Sequence, residues 1–158
     1  MNTIEQRLQA IEDIEAIRNL KAAYCCACDD DHNPHGVVPL FVPDGVWRAA
    51  GISHCVGHAQ IHEYFNAIHT SGSIRNSAHN VMNPQIAVDG DQATGHWRLI
   101  MLYTGQGAEG ELSWHRIIGT YDDKYVRTRE GWRFQELFCQ VEENGPYSIA
   151  DLRNDLQQ

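Results

Sequence analysis

The hydrophobic period of this chain changes near Gly72, from about 3.6 residues to about 2, and that switch limits the possible folds more than any other feature. Ahead of it, Thr3 is placed to cap a long helix, and Gln6 completes a Thr-x-x-Gln capping box. Ile4, Leu8, Ile11, Ile14, Ile17, Leu20 and Tyr24 keep the helical rhythm and set one stripe against a core. The pattern stops at Asp29-Asp30-Asp31-His32-Asn33-Pro34-His35-Gly36, a run of turn and cap formers. A short apolar piece from Val37 to Phe41 follows, where Pro39 fits only a first turn. Pro43-Asp44-Gly45 reads as another turn, and Val46 to Ala50 and Ser53 to Val56 as two short strands around Gly51. A second amphipathic helix starts at Gly57, turns Ile61, Tyr64, Phe65 and Ile68 to one side, and ends near Ser71-Gly72.

After the switch come four extended segments, roughly Ser77–Val88, Gln92–Thr104, Glu111–Val126 and Trp132–Val141. Asp89-Gly90 is a strong hairpin signal; Gly105-Gln106-Gly107 and Arg129-Glu130-Gly131 are looser turns. Ser148-Ile149-Ala150-Asp151 has the composition to cap a short terminal helix. Helices gathered early and antiparallel strands late predict an α+β domain, with the helices on one face of a curved sheet. Nothing in the pattern marks a linker or repeat, so residues 1–158 are expected to form one domain.

Twelve Lys and Arg against 21 Asp and Glu give a net charge of −9 with histidines neutral. So acidic a chain lacks the basic footprint needed for phosphate backbones or anionic lipid, so nucleic acid and membrane are not expected partners. No apolar run approaches the ~20 residues of a membrane span. The first residues show no signal-peptide core, and Cys25, Cys26 and Cys28 lie too close together for a disulfide framework. A reducing cytoplasm is therefore the expected location. The nine histidines are the unusual count.

Four stretches carry a resemblance to a known family. They are Ile11-Glu12-Asp13-Ile14-Glu15-Ala16-Ile17 leading to Tyr24-x4-Asp29; Phe41-x-Pro43-Asp44-Gly45-Val46-Trp47; Ala78-His79-Asn80 with Asp89-Gly90-Asp91-Gln92-Ala93-Thr94-Gly95-His96-Trp97; and Tyr121-x3-Tyr125 with Gly131-Trp132. On these the chain resembles the SnoaL-like branch of the nuclear transport factor 2-like superfamily, nearest to its bile acid 7α-dehydratase and scytalone dehydratase type of lyase. The resemblance implies a conical barrel of strongly curved mixed or antiparallel sheet, with the N-terminal helices packed against it. It also implies a cofactor-independent lyase, most simply a dehydratase, working in the mouth of the cone. The family's catalytic Tyr, Asp and His fall on Tyr24, Asp29 and His79. The scytalone-type helix tyrosine falls on Cys28, and its second histidine near Tyr103. Gln140 or Val141 stands where the bile acid enzyme has a pocket arginine, which argues against an acidic steroid substrate.

A carboxylate bonded to one imidazole nitrogen fixes the tautomer and leaves the other nitrogen as a base. An Asp29–His79 pair would then take a proton next to a carbonyl and return one to a departing hydroxyl, while Tyr24 donates to the developing oxyanion. From pattern alone, the same residues also read as a helix-end cap, an interior histidine and a core aromatic. By the family likeness Trp97 and Tyr103 face inward on their strand, and alternation adds His115 and Tyr121 on the next. With Trp47 they describe an aromatic pocket with a few polar points, suited to a flat, hydroxylated aromatic or polycyclic molecule. As core filling or a subunit interface, these aromatics would serve equally well.

His58 and His62, with His54 nearby, lack a converging third ligand and read as surface histidines, so no metal is expected. Consecutive helical positions diverge by about 100°, so Cys25, Cys26 and Cys28 cannot all face one ion. His32 and His35 flank the Asp run in a loop at the pocket rim, with substrate contact as one reading and solvent exposure as the default. Trp114 and Ile118, on the face expected to point outward, suit a homo-oligomer, a dimer or trimer. The expected partner is a small molecule. An isomerase or carbon–carbon lyase on the same residues, a binding module and an oxygenase small subunit are the competing readings.

Overall fold

Thr3 accepts a hydrogen bond at Oγ1 from the Gln6 N–H (3.2 Å), and Gln6 Oε1 accepts one from the Thr3 N–H (2.9 Å). This reciprocal box starts α1, Ile4–Asp29, in the computed structural model, which describes residues 3–106 and 110–147. Only the second half of the expected stripe is covered: Ile17, Leu20 and Tyr24 are buried. Ile4, Leu8 and Ile11 are 79%, 54% and 65% exposed, because the first turns of α1 extend past the sheet and no described residue packs over them.

Asn33 caps α2 (Pro34–Val37) by accepting from the His35 N–H, and a single 3₁₀ turn, Val38–Leu40, holds Pro39 in its first turn. β1 then runs Phe41–Ala49, so Pro43-Asp44-Gly45 is not a turn. It is an irregular stretch inside the strand, where the register with the last strand shifts between Phe41 and Val46. A bulge accommodates a proline that cannot donate to the ladder. Gly45 is needed there, since a Cβ would lie 2.9 Å from the Val42 carbonyl oxygen.

β2 is Ser53–Val56, and α3, Gly57–Ser71, closes at Gly72 in the left-handed region (φ 62°). β3 (Arg75–Asp89), β4 (Gln92–Gln106), β5 (Leu112–Thr128) and β6 (Gly131–Pro146) are long antiparallel neighbours. Asp89-Gly90 makes the β3–β4 hairpin, as its residues predict. The six strands lie in the order β2-β1-β6-β5-β4-β3, with β1 parallel to β6.

The sheet is mixed and curved, with α1 and α3 packed against it as the resemblance implies; it is not closed, and β2 and β3 are its two edges. A register irregularity between Met82 and Gln85, with Asn83 at φ 52°, and another between Ile118 and Gly119 bend the long strands. The concave face and the helices enclose one core containing Phe41, Trp47, Phe65, Leu99, Phe134 and Leu137. The anticipated cap at Ser148–Asp151, and Gly107 of the β4–β5 turn, lie outside the described residues. No described helix is long and apolar enough to cross a membrane.

Candidate active site

The end of α1 meets β3 at Asp29. Its Oδ1 lies 2.6 Å from His79 Nδ1, and both carboxylate oxygens accept from the His79 backbone N–H (3.1 and 3.0 Å). The Ser77 hydroxyl donates to the same carboxylate at 3.0 Å. Burial pushes the Asp29 carboxyl up, but the His79 and Ser77 hydrogen bonds outweigh it and hold the group below its ordinary range. An ionised carboxylate only accepts, so Nδ1 carries a proton, and in the neutral ring Nε2 then holds the free lone pair. The His79 side chain is 5% exposed and lines a cavity of about 240 Å³ between the concave sheet face, α1 and α3.

Tyr24, one turn before Asp29 on α1, also lines this cavity. Its hydroxyl accepts from Trp47 Nε1 at 2.9 Å, and burial raises its pKa well above the ordinary phenol value. It therefore serves as a hydrogen-bond donor and not as a base. Tyr121 packs edge-on against Tyr24 (6.2 Å between ring centres), and burial raises its pKa as well. Tyr103 reaches the cavity wall, where its hydroxyl donates to Asn144 Oδ1 at 3.2 Å. Val141 takes part in the wall at the position suspected of lacking the arginine. Lys, Arg, Asp and Glu are all missing from the described lining, so the cavity suits a neutral ligand.

Tyr24, Trp47, His79, Tyr103 and Tyr121 thus converge on one cavity, with Asp29 directly behind His79. The structure places two other anticipated residues elsewhere. Trp97 is in the core below, donating from Nε1 to the Tyr125 hydroxyl at 3.1 Å, because the narrow end of the curved sheet is filled by side chains. His115 stands opposite Tyr103 in the β4–β5 register and shares its sheet face, but it stacks on the Tyr103 ring (5.1 Å), bonds Ser113 and is not part of the described cavity lining.

Two features escaped the sequence reading. His32 is buried, not a solvated rim residue: it stacks on Phe65, lines the cavity and leaves Nδ1 without a partner. Burial first, and then the neighbouring His79, lower its pKa to about 4, so it is neutral at physiological pH. Beneath the cavity, Lys21 Nζ bonds Asp123 Oδ2 at 2.9 Å with both side chains fully buried. Lys21 also rests 3.4 Å from the centre of the Tyr121 ring, while the Tyr125 hydroxyl donates to Asp123. A wider groove of about 500 Å³ on the opposite sheet face is lined by Arg48, His96, Asp122, Lys124 and Glu136. There Arg48 and Lys124 both pair with Glu136, and His96 pairs with Asp122, which neutralises the groove.

The helix-backed, open curved sheet with a polar pair at its mouth defines an α+β domain of the nuclear transport factor 2-like type. The chain belongs to the SnoaL-like domain family, whose model matches residues 9–137. Among solved structures it is similar to a protein of Novosphingobium aromaticivorans provisionally designated an aromatic ring hydroxylase. That likeness has 26% identity, 87% coverage of this chain, 94% of that one and a TM-score of 0.76. It is similar in fold to a second protein of Novosphingobium aromaticivorans, provisionally designated a scytalone dehydratase (18% identity, 89% and 91% covered, TM-score 0.77). A third likeness in fold is to a type 3 hexachlorocyclohexane dehydrochlorinase from Novosphingobium barchaimii (19% identity, 90% and 95% covered, TM-score 0.77). No curated protein gives a significant match.

Proposed function

We propose that this protein is a lyase that eliminates water, without a cofactor, from a neutral, hydroxylated aromatic or cyclic small molecule. The observation that carries the reading is the Asp29–His79 pair, oriented at 2.6 Å with the ring on the wall of an otherwise uncharged cavity. His79 Nε2 takes a proton from the carbon next to a carbonyl, and the electron pair moves into the carbonyl to form an enolate. Tyr24 donates a hydrogen bond to that oxygen. The enolate then collapses and expels the neighbouring hydroxyl, which leaves as water with the proton His79 returns. Asp29 touches no substrate; it positions His79 and stabilises the imidazolium.

The cavity lies below the ~300–1,000 Å³ of drug-sized sites, which favours one ring or a fused pair over a steroid. Likeness in fold to proteins designated a dehydratase and a dehydrochlorinase, both names for elimination chemistry, supports the same class. Return of the proton to a different carbon would give an isomerase with the same residues. The test is ultraviolet absorbance of purified protein against a panel of β-hydroxy cyclic ketones and hydroxylated aromatics. His79→Ala and Asp29→Asn should each lower turnover by ~10²-fold or more. Turnover that survives both changes removes the pair from the mechanism.

A further inference from the structure

Cys28, His32 and His79 each present one potential ligand atom, and these three atoms lie within 4.8 Å of one another. We propose that they form a binding site for a borderline-soft divalent cation, Zn²⁺ or Co²⁺, at the inner wall of the cavity. The placement of His32 is the first support. It follows the last turn of α1, its N–H bonds the Cys28 carbonyl (2.9 Å), and its backbone and that of Asp31 take left-handed φ values of 58° and 50°. Such φ values cost energy for residues with a Cβ, and strain of this kind collects at ligand sites. The second support is the buried His32 Nδ1 without a hydrogen-bond partner, a defect that a native fold rarely leaves unexplained.

The third support is the surroundings of His79. Asp29 occupies its Nδ1, leaving Nε2 for an ion, which is the carboxylate–histidine–metal arrangement. One sulfur and two imidazoles select zinc-like ions over Mg²⁺ and Ca²⁺. In a tetrahedral site, bonds of ~2.0–2.3 Å place the ligand atoms roughly 3.5 Å apart, so closure draws these three in by no more than about 1.3 Å. Binding releases the Cys28 thiol proton to solvent, and the fourth position faces the cavity. The site stands independently of the lyase reading; its consequence rests on that reading. An ion on Nε2 removes the base, so Zn²⁺ inhibits turnover and a chelator restores it.

The experiment is Co²⁺ titration of chelator-stripped full-length protein, followed by optical absorption, with Zn²⁺ as competitor. A saturable one-to-one thiolate charge-transfer band with tetrahedral ligand-field bands is expected. Cys26→Ser should keep the band, Cys28→Ser should abolish it, His32→Gln should weaken binding, and Asp29→Asn should weaken it roughly 10–100-fold. Absence of a saturable band, or a band untouched by both Cys28→Ser and His32→Gln, overturns the site. X-ray absorption of the zinc-loaded wild type needs no substitution: one sulfur with two imidazoles supports the site, and a shell without sulfur refutes it. Because neither readout involves turnover, a failed titration leaves the acid–base reading intact, and inactivity leaves the metal site intact.

Discussion

Replacing Lys21 with Met removes the ammonium from a pair in which both side chains are 0% exposed and 2.9 Å apart. Met fills much of the same volume beside Tyr121, so the loss is almost wholly electrostatic. Asp123 is left with only the Tyr125 hydroxyl, and its Oδ1 has no partner even in the wild type. Removing one member of a buried pair costs about 3–5 kcal/mol, against a total stability of roughly 5–15 kcal/mol for a domain. A fall in Tm of roughly 10 °C follows for a chain of this size. Burial already raises the Asp123 pKa despite Lys21, so without Lys21 the carboxyl rises further and takes up a proton on mild acidification. The penalty arises from an ionised buried carboxylate, so it should be greatest at pH 7 and shrink as pH approaches the unfolded value near 3.8. Adding Asp123→Asn to Lys21→Met should recover most of the loss. Urea denaturation of the three variants and the wild type across pH measures all of this. A Lys21→Met loss below about 1 kcal/mol, or one that the second substitution does not relieve, refutes the reasoning.

Asp13 should behave with the opposite sign. The Arg127 fork (2.7 Å to each oxygen) and the Trp132 N–H hold its pKa at about 2 against an ordinary 3.8. Its contribution is full above the unfolded value and disappears as pH falls from 3.8 towards 2. Asp13→Asn should therefore cost about 1–2 kcal/mol at neutral pH, the lower end reflecting the exposure of Arg127, and nothing near pH 2 in urea melts. Tyr24→Phe should lower turnover and also stability by about 1–3 kcal/mol, because it strands the buried Trp47 N–H; denaturation separates the two effects from His79→Ala.

What the sequence disclosed was mainly local. The Thr3–Gln6 box, the Gly72 helix end and the Asp89-Gly90 hairpin depend on neighbours within a few positions, and each was legible from them. The exposure of Ile4, Leu8 and Ile11 was not, because it depends on where the sheet stops. The strand through Pro43 was hidden because its parallel partner β6 lies near the other end of the sequence. Asp29 and His79, 50 residues apart, came together through resemblance, since no spacing rule links a helix end to a strand start. Lys21 and Asp123 are 102 residues apart, and each alone looks like a surface charge. His32, in a loop at the pocket rim, reads by default as solvated and otherwise as a substrate contact; the left-handed turn that buries it leaves no compositional mark.

The parallel pairing of β1 with β6 has a consequence for synthesis on the ribosome. β1 leaves the exit tunnel early, with β2 as its sole antiparallel neighbour, and an isolated two-stranded hairpin is marginal in water. Its proper seat exists only once Gly131–Pro146 has emerged. Until then Phe41 and Trp47 lack the strand that covers them, and the nascent front half is open to off-pathway association. The last of the described strands therefore joins the two halves of the sheet, and such distant closure makes for slow folding. A truncation inside β6 should strand the whole N-terminal half and not merely trim the sheet's edge.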